Sequence, residues 1–237
     1  FLDADDEWRP TFLAGIDRLI AAAGTEIGCV FTGYEVVEPG ARRAAAFARQ
    51  STSEAPVELD LDGFLDLWLE FGRTPVCVDV IACRRDLLIE AGMFPEGRCN
   101  RGGDVDLWLR LLWRTNALAV PDIGATYYRD PNVLPPSQTL DGSLCLKATV
   151  DELLGVVPPA TAHRLRRLYD QYAYQYVRRR AGRQRISPNS YAGFFAGADP
   201  VRYAATTALA SLPAAASGGA RKARRAVAGA RRLVRGA

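Results

Sequence analysis

Apolar positions recur at helical spacing over residues 11–23, where Phe12, Leu13, Ile16, Leu19 and Ile20 predict one buried face. Pro10 just before this stretch and Gly24 just after it suit the start and stop of a helix. Residues 27–34 are dense in β-branched and aromatic side chains and predict a strand. Residues 38–56 show no apolar period and read as an exposed loop. Helical spacing returns over 59–71, through Leu61, Phe64, Leu65, Trp68 and Leu69, and ends at Gly72. The apolar run 75–82 predicts a buried strand, and 85–91 a short helix. Gly92-Met93-Phe94-Pro95 then breaks the chain, and 99–103 forms a loop before a strong helix over 104–114. Short strands are expected at 117–120 and 125–128, on either side of Pro121. At the amino end, Phe1 and Leu2 read as the end of a strand and residues 3–7 as an acidic turn. Beyond a loop at 131–138, helices are expected near 143–154, 160–181 and 188–210.

Strands and helices thus alternate over the first part of the chain, and helices alone follow. That order predicts an α/β domain over residues 1–140 and a helical C-terminal extension over 141–212. An Ala/Arg-rich basic tail over 213–237 completes the division. Charge sharpens it. Residues 1–163 carry 14 Lys+Arg against 25 Asp+Glu, whereas 164–237 carry 16 against 2, so a net charge of +3 conceals an acidic body and a basic end. Composition is that of a globular protein, 49% hydrophobic and 24% charged, which excludes collagen-like, coiled-coil and disordered classes. No stretch has the uninterrupted apolar length of a spanning helix, and the acidic start is unlike a signal peptide. The five cysteines contain no C-x-x-C pair and are expected to be reduced thiols of a cytoplasmic protein.

Two clusters carry chemistry. In Asp3-Ala4-Asp5-Asp6-Glu7-Trp8, three aspartates fall within four positions and repel one another unless a cation or water screens them. At the end of a strand, Asp3 and Asp5 would share a side, because side chains alternate. Such oxygen ligands suit Mg²⁺ or Mn²⁺. The plain alternative is an acidic turn before the first helix. In Gly102-Gly103-Asp104-Val105-Asp106-Leu107-Trp108, the glycines let a loop approach a ligand closely, and Asp104 sits where a helix starts. Asp104 is first of all an N-cap candidate; a general base held near a substrate hydroxyl is the alternative.

Taken together, the two clusters resemble family 2-like glycosyltransferases. Residues 1–13 resemble the D-x-D segment of that family. Cys83-Arg84-Arg85-Asp86, then Glu90-Ala91-Gly92-Met93-Phe94-Pro95-Glu96, then Gly103-Asp104-Val105-Asp106-Leu107-Trp108-Leu109-Arg110 look like its second half, in matching order and spacing. The resemblance covers roughly residues 1–130. It implies a GT-A-like, partly Rossmann-like fold and inverting sugar transfer from a nucleotide-sugar donor. It also implies Asp5 as the ligand of Mn²⁺ or Mg²⁺, with Asp3 assisting at the cofactor, and Asp104 as the catalytic base. Trp8, Gly102 and Gly103 would be weaker substrate contacts. The acceptor implied is a glycan or a lipid-linked molecule in surface-glycan synthesis.

Three departures qualify this. Gly103 stands where many relatives have Glu, the Q-x-x-R-W motif of processive synthases is absent, and single-residue transfer is therefore expected. The βαβ units that would hold the donor nucleotide do not precede the D-x-D segment; at roughly 30 residues each, on the order of 60–90 residues of a longer parent are expected upstream. The parent is expected to be active and this chain alone inactive. The rival reading is a non-catalytic glycan- or partner-binding module derived from such a transferase.

Lesser candidates resolve toward structure. His163, the single histidine, is expected on a solvated helix face, and Trp68, Trp108 and Trp113 beside leucines read as core. Arg84 and Arg85 read as a surface pair, and Tyr127-Tyr128-Arg129 as a weak acceptor-binding candidate. The basic residues of 221–235 divide evenly between a solubilising tail and peripheral contact with an anionic membrane face, which would place the protein at the inner face of the membrane. No nucleic-acid-reading module accompanies them, so no nucleic-acid partner is expected.

Overall fold

The computed structural model describes residues 1–51, 55–96, 102–129, 145–180 and 194–211. The chain divides into two compact units, residues 1–138 and 139–237. The first is an α/β unit built on a mixed, curled sheet; the described part of the second is helical.

Two long strands form the spine of the sheet. β2 (Ile27–Glu38) and β6 (Asn116–Tyr128) run parallel from Ile27↔Asn116 to Val37↔Tyr128. The two short strands expected around Pro121 are thus one strand. Proline has no N–H to give the ladder, and the register shifts at this point, between Thr32 and Gly33. Gly33 permits the close approach, since a Cβ there would lie 2.5 Å from the Pro121 carbonyl oxygen. The strands bordering the spine are short, and each edge is shared by two of them. β5 (Ile81–Cys83) and β3 (Ala41–Ala44) pair antiparallel with the early and late parts of β2. β4 (Val57–Leu59) and β1 (Glu7–Trp8) do the same along β6.

Local sequence explains most of the helices. α1 (Phe12–Ala22) buries Phe12, Ile16 and Leu19 and packs on β2 and β6, while Leu13 and Ile20 stay exposed. α3 (Leu61–Phe71) begins at Asp60, whose side chain accepts from the Gly63 N–H at 2.8 Å, and ends at Gly72 in the left-handed region. That is an N-cap and a C-cap at the two places where helices leave backbone groups unpaired. α4 (Arg85–Glu90) matches its expectation, and α5 (Gly103–Leu112) buries Leu107, Trp108, Leu109 and Leu111 completely.

Several expectations are corrected. Phe1 and Leu2 are exposed coil rather than a strand end; the amino-terminal strand is β1, six residues on, where β6 offers an edge. The supposed loop 38–56 contains β3 and the short helix α2 (Ala46–Gln50), both too short to leave a period in the sequence. The apolar run 75–82 is largely a 3₁₀ turn, Val78–Val80, leading into β5. Trp113 is 40% exposed at the end of α5, whereas Trp68 and Trp108 are core.

The second unit shows α6 (Cys145–Leu154), α7 (Pro159–Arg180) and α8 (Pro200–Ala210). Residues 194–199 are not helical, so the last helix starts later than its apolar pattern suggests, with Asp199 as its N-cap. His163 lies on an exposed face of α7. Asp170 is fully buried on the same helix; one carboxylate oxygen accepts from the Phe195 N–H at 2.7 Å, and the other has no hydrogen-bond partner among the described residues. Burial pushes its pKa up to about 7, with the Phe195 N–H pulling the other way. The native state therefore binds the proton more tightly than the unfolded chain. The stability this group contributes is full below about pH 4 and is lost as pH rises through 7. Asp170→Asn is expected to melt higher than the wild type at pH 8, by on the order of 1–3 kcal/mol for the unpartnered buried charge removed. The gap should close by pH 4 in a thermal-melt series.

Cys145 is disulfide-bonded, which corrects the expectation of five reduced thiols; Cys29, Cys77 and Cys83 are free. Under denaturing, non-reducing alkylation the Cys145 peptide should stay unlabelled until reductant is added. Labelling without reductant would refute the bond. Among the described residues, no helix is long and apolar enough to cross a membrane. The loop 131–138, Cys99 and the basic residues of 221–235 lie outside the described residues.

Candidate functional site

The acidic turn folds differently from a strand end. The Asp6 N–H donates to the Asp3 carbonyl at 3.2 Å, closing a turn, so positions i and i+3 meet rather than i and i+2. Carboxylate oxygens of Asp3, Asp6 and Asp79 all lie within 4.8 Å of one another. Asp5 is exposed and outside this cluster, though near enough to help raise the pKa of Asp3.

Asp79 was not a candidate in the sequence. It sits in the 3₁₀ turn before β5, with no solvent exposure. The Asp3 N–H donates to its Oδ1 at 2.8 Å, and the Trp8 indole N–H donates to its backbone carbonyl at 2.7 Å. Trp8 also packs on Phe12, with ring centroids 5.0 Å apart. The indole thus pins the acidic turn to the Asp79 turn from the α1 side. A signal for Asp79 did exist: it is the one charged residue in the apolar run Pro75-Val76-Cys77-Val78-Asp79-Val80-Ile81-Ala82, and a carboxylate in a core segment needs a partner.

Electrostatics marks the cluster as crowded. Burial raises Asp3, and the carboxylates of Asp79, Asp5 and Asp104 add to the rise. Burial pushes Asp6 up to about 7 against the Tyr128 N–H, which donates to it at 2.8 Å; the Asp79 carboxylate adds to the rise. Among the described residues no donor reaches Asp6 Oδ2 or Asp79 Oδ2, both buried, and the two carboxylates lie within hydrogen-bonding reach of each other. Unpartnered, like-charged oxygens are what a hard divalent cation would satisfy, so the donor set fits Mg²⁺ or Mn²⁺.

Asp104 comes to the same place from the far end of the unit. An open cavity of about 640 Å³ is lined by Phe1, Leu2, Asp3, Val78, Phe94 and Asp104. Asp104 is not the N-cap of α5. Gly102 takes that position with φ 77°, a left-handed conformation that glycine adopts freely, and Gly103 follows with its Cα facing the Pro95 ring. A Cβ on Gly103 would lie 3.1 Å from that ring, so a side chain here would need the proline to give by a few tenths of an ångström. Asp104 therefore stands in the first turn of α5. Burial raises its pKa, opposed by hydrogen bonds from the N–H groups of Val105 and of Asp104 itself.

Asp106 does other work. It is buried and accepts from Arg110 Nε at 3.0 Å and Nη2 at 2.8 Å. Arg110 in turn donates to the carbonyls of Ala91 and Met93, the latter at 2.8 Å. The pair latches the Gly92–Pro95 break to α5, and this break carries Phe94 to the cavity wall. Phe94 meets Phe1 edge-on at 5.3 Å and Trp108 at 6.4 Å. Arg84 and Arg85 are both exposed, as expected of them, and Arg84 makes an ion pair with Asp86. Tyr128 donates its hydroxyl to Glu7 at 3.1 Å and Arg129 pairs with Glu38 at 3.1 Å, so both have structural partners.

Known proteins offer no guide to this arrangement: no family profile, curated protein or solved structure matches the chain.

Proposed function

We propose that the chain carries the metal and acceptor side of a GT-A-like, inverting glycosyltransferase. It would move a sugar from a nucleotide-sugar donor to an acceptor hydroxyl of a glycan or lipid-linked molecule. The observation that carries this reading is the convergence of Asp3 and Asp104 on one cavity from about a hundred residues apart in sequence. One carboxylate belongs to a crowded acidic group suited to a cation, and the other stands outside that group in the first turn of α5. That separation of tasks is what sugar transfer needs.

Asp3, Asp6 and Asp79 would hold Mn²⁺ or Mg²⁺, with exposed Asp5 at the open side toward a diphosphate. The cation would supply charge neutralisation for the departing nucleoside diphosphate. Asp104 would accept the proton from the acceptor hydroxyl as that oxygen attacks the anomeric carbon. Phe94, and Trp108 behind it, would wall the acceptor side. Peripheral attachment at the inner membrane face through residues 221–235 belongs to the same reading. The Cys145 disulfide weighs against a reducing compartment, and the alkylation measurement above decides that part.

The test is nucleoside-diphosphate release by the native protein from a panel of nucleotide sugars. Turnover should disappear with EDTA and return with Mn²⁺, and Asp79→Asn should raise the Mn²⁺ needed for half-maximal rate at least tenfold. EDTA-insensitive turnover would remove the metal from the mechanism. No release from any donor, with glycan binding intact, would favour the binding module.

A further inference from the structure

Cys29 on β2 and Cys83 on β5 are direct cross-strand partners in an antiparallel ladder. The Arg84 N–H donates to the Gly28 carbonyl at 2.9 Å, which makes 28/84 a hydrogen-bonded pair. The adjacent 29/83 pair is then the non-hydrogen-bonded kind, in which Cα atoms lie about 4.5 Å apart and side chains are closest. Disulfides span Cα separations of about 4.4–6.8 Å. The backbone therefore already holds the two residues at bonding distance, and both thiols are free. Cys77, the third free thiol among the described residues, faces Asp79.

We propose that Cys29 and Cys83 form a redox-modifiable thiol pair, oxidised to a cross-strand disulfide by exchange with a small disulfide of the glutathione class. Access orders the chemistry. Cys83 is half-buried, whereas Cys29 is 1% exposed. The Cys83 thiolate attacks one sulfur of glutathione disulfide, forming a mixed disulfide and releasing one glutathione thiolate, which takes up the proton Cys83 lost. Cys29 then gives up its proton and attacks the Cys83 sulfur, closing the protein disulfide and releasing the second glutathione. Two protein thiols are oxidised and one glutathione disulfide is reduced to two thiols, so electrons and protons balance. The second step is the slower one. The hydrogen bond to Cys83 and burial both push the Cys29 thiol far above its ordinary pKa, and the thiolate is the nucleophile.

The bond would tie β5 to β2 four residues beyond Asp79, fixing the segment that carries the buried carboxylate. The pair stands independently of what the acidic cavity does.

The experiment is to incubate the full chain across glutathione/glutathione-disulfide ratios, quench with acid, alkylate, and map non-reduced peptides by mass. The expected result is a Cys83–glutathione adduct that gives way to linked Cys29 and Cys83 peptides, with Cys77 alkylated throughout and a higher thermal midpoint for the oxidised form. Cys29→Ala should stop at the adduct, and Cys83→Ala, at the more accessible position, should leave Cys29 unmodified. Alkylation of both thiols at the highest disulfide ratio would overturn the proposal. So would a persistent wild-type adduct that never closes, or a link made through Cys77.

Discussion

Asp104→Asn in the native protein is expected to lower sugar transfer by about 10²–10⁴-fold while changing Mn²⁺ affinity and donor KM far less, since Asp104 adds the smallest of the three carboxylate contributions at Asp3. The loss in rate is the range a positioned general base contributes. Asparagine keeps the shape of the side chain, and Gly102 rather than residue 104 takes the N-cap position, so α5 should start as before. What disappears is the ability to take a proton. A pH series separates this from a folding effect. Burial raises the Asp104 pKa, so the acid limb of the wild-type rate profile should lie above the ordinary carboxylate range, with the rate climbing as Asp104 ionises. The residual activity of Asp104→Asn should lack that limb. A variant with near wild-type rate would show that the acceptor proton leaves by another route, and would favour the binding module.

The sequence carried the two clusters and the long helices but not how the first cluster folds. Helices such as α3 were legible because apolar period, N-cap and terminal glycine agree on one answer. The sheet was less so. β1, β3, β4 and β5 have two to four residues each, too few for alternation to register, and they exist because β2 and β6 offer edges over their whole length. The same tertiary dependence governs the metal candidates. Pairing Asp3 with Asp5 assumes extended backbone; one turn-closing hydrogen bond replaces Asp5 by Asp6 and brings in Asp79 from 76 residues away. Asp104 and Asp106 show the converse. They are indistinguishable as residue types two positions apart, and only the location of Arg110 one turn further on assigns Asp106 to the latch.

Arg110→Ala is expected to destabilise the α/β unit by about 3–5 kcal/mol, the effect of removing one partner from a buried ion pair. Both side chains are almost fully enclosed, at 9% and 3% exposure. The loss has two parts. Asp106 is left as a buried carboxylate without its cation, and the carbonyls of Ala91 and Met93 lose their donor just where Met93 holds a left-handed φ of 52°. Asp106→Leu combined with Arg110→Met removes both charges and refills the volume, so it should recover much of the stability in a denaturant melt. The carbonyls would still be unpaired, and the Gly92–Pro95 break would be free to shift. Phe94 would then no longer be held against Trp108. The double variant is therefore expected to fold near the wild-type midpoint yet bind acceptor more weakly, raising acceptor KM more than it lowers kcat. Equal stability loss in the single and double variants would show instead that the two carbonyl contacts, rather than the ion pair, hold the cavity wall in place.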